Sequence, residues 1–223
     1  MSPASSDCAR LCLLRQLPVL VSSSCAYPNE SSYPLKEESL WDGLPQETNL
    51  AYGVAKRLMT VQGPAYRAQY GLNAAVVVPN NGYGPNDNFD PAYSHVVPSL
   101  IRRCIAGENP LIVWGDGTPT RDFLYVKDFA EGVLLAAEKL ESDDYINIGS
   151  GVETPIKELA SLIQKLTHHE GEIVYDSTKP NGQKRRSVDL TKARALVGFE
   201  PHYSLEEGLK ETIEWYLAHK DSA

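Results

Sequence analysis

Two periodicities alternate along the chain. Short apolar runs at 18–23, 73–79, 111–115, 145–148 and 172–176 have the length and the β-branched or aliphatic content of strands. Between them, apolar residues recur at three- and four-residue spacing over 48–70, 95–106, 127–140, 155–167 and 204–219, which predicts amphipathic helices. The last helix opens on Ser204 with Glu207 three residues on, the spacing of a capping box. Gly63-Pro64 falls inside the first helix and is expected to kink or split it, because proline lacks the N–H and crowds the preceding turn. Strand and helix in alternation predict an α/β fold around a mainly parallel sheet.

Two stretches interrupt that rhythm. Segments 27–47 and 82–93 are long and rich in Pro, Asn and Asp, which is unusual in a compact domain unless the loops do something. Both are read as walls of a binding site. After Gly149 strands become sparse and a basic loop, 179–186, appears. The chain is therefore divided into an atypical leader with a partial helix at 1–21, a catalytic region at 22–148, and a small C-terminal α/β cap region at 149–223 interleaved with the 80–125 loops. The first seven residues form a polar leader expected to be poorly ordered.

Composition removes several function classes. At 223 residues, 42% hydrophobic and 22% charged, the chain can bury a core of its own. A net charge of −8 argues against nucleic acid as a partner, since phosphate-backbone binding needs clustered Lys and Arg. No run reaches the roughly 18 apolar residues of a membrane span. The weakly apolar stretch at 11–21 is broken by Arg15, Gln16 and Pro18 and is too polar for a signal peptide. Cys8, Cys12, Cys25 and Cys104 share no metal-ligand or disulfide-framework spacing, so they read as reduced thiols of a cytoplasmic protein with no metal site.

Candidate chemistry begins where the first strand ends in hydroxyls, Val21-Ser22-Ser23-Ser24-Cys25-Ala26-Tyr27-Pro28, as a strand does when it delivers polar groups to the carboxyl edge of a parallel sheet. Further on, Tyr52-Gly53-Val54-Ala55-Lys56 sets Tyr52 and Lys56 one helical turn apart on the same face. An ammonium beside a phenol suits the pair for proton transfer. A lone Tyr-x-x-x-Lys match is weak. The order of parts gives it weight: strand, hydroxyl cluster, loop, Tyr/Lys helix, then an apolar strand ending in Val78-Pro79-Asn80-Asn81-Gly82-Tyr83-Gly84-Pro85.

That order resembles the extended short-chain dehydrogenase/reductase family, the NAD-dependent epimerases and dehydratases of nucleotide-linked sugars. The resemblance runs from Ser22 to His219. It is carried by Ser23 to Pro28, by Tyr52 to Lys56, and by Tyr83 to Phe89 leading into Ser94-His95-Val96-Val97-Pro98. Val113 to Phe123, Asn147 to Glu153 and Thr178 to Gly182 follow the same pattern. The Asn-Asp-Asn-Phe loop before Ser94-His95 points to the branch that works on GDP-linked 4-keto sugars.

The resemblance implies a partial Rossmann-like sheet with a C-terminal substrate-binding region. The implied reaction is 3,5-epimerisation of GDP-4-keto-6-deoxy-mannose followed by reduction of the ketone by NADPH. Tyr52 would give a proton to the ketone oxygen, Ser23 would hydrogen-bond it, and Lys56 would hold the nicotinamide ribose and acidify Tyr52. Cys25 and His95 would be the acid–base pair of epimerisation, against the plainer readings of a buried apolar cysteine and a helix-capping histidine. Pro79, Asn80, Asn81 and Gly82 would line the cofactor together with Lys56 and His95; the family commonly has Thr at the position of Asn80. Arg103, Trp114, Arg121 and Asn181 would hold the GDP-sugar, with Arg103 also readable as a solvated helix residue and only one of Arg102 and Arg103 expected to face the site. Asn181 stands where the family tends to have Asp. Family members tend to pair through the helix carrying Tyr52, which implies a homodimer.

One part of the pattern is missing. A dinucleotide fold opens with a strand, a Gly-rich turn and a helix whose N-terminus receives the pyrophosphate. The first glycine here is Gly43, and 21 residues before Ser22 are too few for two βαβ units. The chain is therefore expected to lack the segment that holds the cofactor's adenosine. Three readings stay open: an epimerase/reductase of the GDP-sugar branch, a related enzyme for another nucleotide-linked sugar, and a sugar-nucleotide-binding protein without turnover.

Overall fold

A computed structural model describes residues 18–141 and 143–220, so the expected leader and two of the four cysteines lie outside the described residues. Its central strand is β2 (Ala75–Pro79), every residue of which is buried. Parallel to it run β1 (Val19–Val21) on one side and β6 (Tyr145–Ile148) on the other, with Val19 opposite Ala75 and Val77 opposite Ile146. A strand covered on both faces reads as an unbroken apolar run, which is why Ala-Val-Val-Val was legible in the sequence.

Helix α1 (Leu50–Tyr70) connects β1 to β2 and stops at Gly71, whose left-handed φ of 67° returns its N–H to Arg67. Its buried face is Gly53, Arg57, Thr60 and Gly63, of which the two glycines let the helix backbone lie close to its neighbours. Of the kink or split expected at Gly63-Pro64, the split does not occur: the helix continues past Pro64 to Tyr70. Proline removes one backbone bond. Gly63, beside it, abuts Val76 and Leu20 so closely that an added Cβ would come within 2.9 Å of Val76, and this tight packing holds the helix to the sheet across the gap.

The remaining elements are β3 (Asn81–Tyr83), α2 (Val96–Ile105), β4 (Leu111–Trp114), β5 (Thr120–Tyr125), α3 (Val126–Lys139), β7 (Glu153–Pro155), α4 (Ile156–Leu166), β8 (Ile173–Asp176), α5 (Thr191–Val197) and α6 (Leu205–His219). A second sheet pairs β3 parallel with β5 and β5 antiparallel with β7; a third pairs β4 parallel with β8. The capping box on α6 is present, with Ser204 and Glu207 bonded reciprocally. Strands β3, β5 and β7 and helix α5 were not anticipated. Asn, Gly, Arg, Asp and Glu are poor markers of strands, and α5 has only seven residues over which to show a period.

Two apolar clusters result. One gathers β1, β2, β6 and α3 and takes in Val188, Leu190, Ala193, Val197 and Phe199 from late in the chain. The other gathers Tyr83, Phe89, α2, β4, β5, α4 and α6. The chain after Gly149 thus serves both. Segment 27–47 is not a wall of the site. Tyr27, Leu35 and Leu40 are buried in the first cluster, Leu35 bridges to Val188, and Tyr27 and Glu37 bond to Asn147 on β6. Burial pushes the Glu37 carboxyl above the usual carboxylate range. Its Pro and Asn content marks irregular backbone that packs beneath the sheet, a role that composition alone does not separate from ligand binding.

Candidate active site

Between the two clusters lies a cavity of about 1170 Å³ at the carboxyl ends of β1 and β2, the edge at which parallel sheets bind ligands. Every candidate residue named above lines it: Ser23, Cys25, Tyr52, Lys56, Pro79, Asn80, Asn81, Gly82, His95, Arg103, Trp114, Arg121 and Asn181. From segment 82–93 only Gly82, Tyr83 and Pro91 reach the cavity.

The wall formed by β1 and α1 is stitched at short range. Ser22 Oγ donates to the Lys56 carbonyl at 2.8 Å, and Lys56 Nζ donates to the Val21 carbonyl at 2.9 Å. That ammonium also stands 5.7 Å from the Tyr52 ring centroid. Tyr52 itself is 48% exposed and opens onto the cavity. Ser23 starts a short 3-10 turn (Ser24–Ala26), its Oγ accepting from Cys25 N at 3.2 Å, so its own proton is available to a ligand. Gly53 makes this juxtaposition possible: a Cβ there would lie 2.6 Å from the Cys25 carbonyl oxygen and 2.7 Å from Pro45 Cβ. Arg57 completes it by donating to the carbonyls of Ala26 and Gly43.

Asn80, 5% exposed, is the junction behind the cavity floor. Its Oδ1 accepts from Ser24 Oγ at 2.9 Å and from Asn81 Nδ2 at 3.0 Å, and its Nδ2 reaches the Arg186 carbonyl at 3.4 Å. Asn81 Nδ2 also bonds the Asp122 carbonyl. Asp122 is fully buried and its carboxyl is pushed up by that burial, although Ser150 N and Oγ bond it at 2.7 and 2.6 Å.

Cys25 is half-buried, not sealed in the core, and its Sγ has two donors: Arg186 Nη1 at 3.1 Å and Asn49 Nδ2 at 3.6 Å. His95 occupies the N-cap position of α2, yet its side chain makes no capping bond; the ring is exposed on the cavity wall. Cys25 is thus not the sealed apolar cysteine of its plainer reading, and His95 holds the capping position without its side chain making the cap.

The opposite wall carries the cations. Both Arg102 and Arg103 line the cavity, so the expectation that only one would do so is corrected; α2 ends there, and the two adjacent side chains diverge around its last turn. Arg103 is bound to the Glu108 carboxylate and to the Ile112 carbonyl, and Arg102 Nε is buried with no partner among the described residues. Arg121 donates to the carbonyls of Thr120 and Gln183 at 2.7 and 2.8 Å. Burial first, and then the neighbouring Arg186 cation, push its value down to about 10. Asn181 Oδ1 accepts from Asp116 N at 2.8 Å. Trp114 is 67% exposed, with Lys179 Nζ 5.8 Å from its ring centroid.

Asn49 and Arg186 escaped the sequence reading, and Arg102 was weighed only as the alternative to Arg103. No local signal marked Arg186: residues 184–186 bond Thr120 and Asp122 of β5 only in the fold, and it is this pairing that turns Arg185 to Glu153 and Arg186 to Cys25.

A parallel sheet with a serine at one strand tip, a tyrosine and lysine one turn apart on the next helix, and a large cavity at the sheet's carboxyl edge place the chain in the class of Rossmann-like α/β proteins. The chain belongs to the NAD dependent epimerase/dehydratase family, whose model matches residues 8–149. Over 209 residues it is 40% identical to a probable GDP-L-fucose synthase 1 of Oryza sativa subsp. japonica, covering 92% of this chain and 63% of the rice protein. It thus spans less than two thirds of that relative's length. A solved GDP-L-fucose synthetase from Naegleria fowleri bound to NADP matches with a TM-score of 0.86 at 30% identity, covering 92% of this chain and 67% of that one. A UDP-glucose 4-epimerase with UDP-glucose from Thermotoga maritima matches at 0.82 and 30%, covering 95% and 69%.

Proposed function

We propose that this chain carries the catalytic and sugar-nucleotide-binding part of a GDP-L-fucose synthase-like 3,5-epimerase/4-reductase that acts on GDP-4-keto-6-deoxy-mannose with NADPH. The observation that carries the reading is that all the candidate site residues, spread from Ser23 to Asn181, converge on one cavity with the hydroxyl, phenol and ammonium on a single wall.

Lys56 keeps two of its three N–H donors after bonding Val21, and Pro79 to Gly82 line the floor beside it, a donor set that fits a nicotinamide ribose. NADPH, when bound, supplies the hydride that reduces the ketone carbon. Tyr52 donates the proton to the ketone oxygen while Ser23 Oγ–H steadies that oxygen. Cys25 and His95 serve epimerisation, in which a proton leaves one face of the ring carbon beside the ketone and another arrives from the opposite face. The cations of Arg121 and Arg103 face the diphosphate and Trp114 covers the nucleotide or sugar. Val54, Leu58 and Val61 form an exposed apolar stripe on α1, the surface through which two copies pair. We place the protein in the cytoplasm, where Cys25 and Cys104 remain thiols.

Calorimetry with GDP, UDP and NADPH, followed by incubation with GDP- and UDP-linked 4-keto sugars, tests this reading. GDP preference with NADPH consumption supports it; the likeness to the Thermotoga protein makes UDP preference the alternative result, an enzyme of the same family for another sugar nucleotide. GDP binding without any NADPH binding would make the chain a sugar-nucleotide-binding protein without turnover.

A further inference from the structure

Cys25 sits in surroundings that its own motif does not supply. Arg186 reaches it from 161 positions away and points Nη1 at Sγ across 3.1 Å. Its other two guanidinium nitrogens, Nε and Nη2, both grip Gln183 Oε1. The backbone on either side of Arg186 is tied to β5, its N–H donating to Thr120 O at 3.2 Å and its carbonyl accepting from Asp122 N at 3.0 Å. The carbonyl also receives Asn80 Nδ2, so the end of β2 and the extended segment carrying the cation are one bonded unit. Asn49, from the short turn before α1, adds a second N–H to the sulfur at 3.6 Å. No carboxylate bonds Arg186 among the described contacts, and, after burial, its cation helps to push the neighbouring Arg121 down.

We propose that Arg186 is the positioning residue of Cys25: clamped by Gln183 and assisted by Asn49, it orients the sulfur toward the cavity and stabilises negative charge on it when the thiol's proton is away. A guanidinium held in place by its own side-chain partner loses little freedom on making this contact, and a cation at hydrogen-bond distance favours a sulfur anion over a neutral thiol. The same pair joins the two walls of the cavity, because Cys25 belongs to the β1 tip and Arg186 to the strand that lies against β5. In the proposed enzyme this gives Cys25 its place in epimerisation, and to that extent the inference rests on the functional reading above; the contact itself does not.

The test uses the full chain without any sugar nucleotide. Iodoacetamide alkylates the sulfur in its deprotonated form, and peptide mass spectrometry follows Cys25 separately, with buried Cys104 as internal control. Arg186→Gln is expected to slow Cys25 alkylation at neutral pH by about tenfold, Arg186→Lys to restore it to within about threefold of the parent, and Asn49→Ala to slow it about twofold. Gln183→Ala, which keeps the cation but releases its clamp, is expected to slow it by about threefold and serves if Arg186→Gln does not fold. An unchanged rate in Arg186→Gln or, where that variant is unfolded, in Gln183→Ala overturns the proposal, and so does a Lys variant as slow as the Gln variant, which would mean shape and not charge is at work. Because no substrate or NADPH is present, a negative result here leaves the proposed reaction standing, and failure of that reaction leaves this result intact.

Discussion

On one wall of the cavity, Ser23, Tyr52 and Lys56 are held by bonds that leave reactive atoms facing open space. On the other, Arg103, Arg121 and Asn181 have already committed donors or acceptors to Glu108, to backbone carbonyls and to Asp116 N. The first arrangement suits chemistry: groups held before the ligand arrives need no reorganisation when charge develops. The second suits exchange, in which a phosphate or base replaces an internal partner of similar strength and the net gain is small. Trp114, two-thirds exposed, can cover a ligand without giving up any packing. In the proposed enzyme the difference assigns rate to one wall and recognition to the other, and variants on the two walls should separate accordingly.

The sharpest separation is expected at Tyr52. Tyr52→Phe removes a proton donor and nothing that holds the fold, since the ring is half exposed and its hydroxyl carries no structural bond among those described. Ketone reduction, read from NADPH absorbance, should fall about a thousandfold while GDP affinity by calorimetry stays within about twofold of the parent. A parallel loss of both would mean that the catalytic wall also anchors the nucleotide, and the division would fail.

Gly53 tests whether the catalytic wall is held by close approach. Helix propensity alone predicts that Gly53→Ala stabilises α1 by about 1 kcal/mol. The added Cβ, however, meets the Cys25 carbonyl oxygen and Pro45 at less than 2.8 Å, and relief of such a clash costs about 1–3 kcal/mol. The net outcome should be a loss of up to about 2 kcal/mol in a urea melt, together with impaired exchange of solvent deuterium into the sugar, because the Cys25 turn is what must move. A more stable variant with unaltered exchange would show that the wall is looser than its geometry.

How much of this was legible beforehand follows from what each residue touches. β2 announced itself because all its neighbours are apolar, and the Tyr52–Lys56 pair because its partner is one helical turn away. β5 did not: Asp122 lies at its buried centre, accommodated by Ser150 N and Oγ from 28 positions further along. No local period encodes that arrangement. Arg186 was hidden for the same reason, as one of several cations in a loop whose alternation exists only because it lies against β5. The side chains that line the cavity were therefore legible one by one, whereas the internal partners that occupy Arg103, Arg121 and Asn181, and the entry of Arg102 beside Arg103, were not.

The smallest effect concerns how the recognition wall is tied down. Glu153 on β7 accepts from Arg185, Thr120 and Ser187, and so pins the strand that carries Arg186. The Arg185 guanidinium, with help from the Thr120 and Ser187 hydroxyls, holds its carboxyl down to about 2 against an ordinary 4.5. A depressed folded-state value means the stabilisation is fully present above about pH 4.5, declines as the pH falls, and is gone below about 2. Arg185 is half exposed, so solvent screening reduces the effect to about 1 kcal/mol. Urea melts of the parent between pH 6 and 3 should show this loss, and Glu153→Gln should be weaker at pH 6 yet lose less on acidification. The loss should fall first on the 179–186 segment, so that acid exposes its amides to hydrogen exchange before those of α1. Simultaneous opening of both would make the two walls a single cooperative unit and erase the contrast between them.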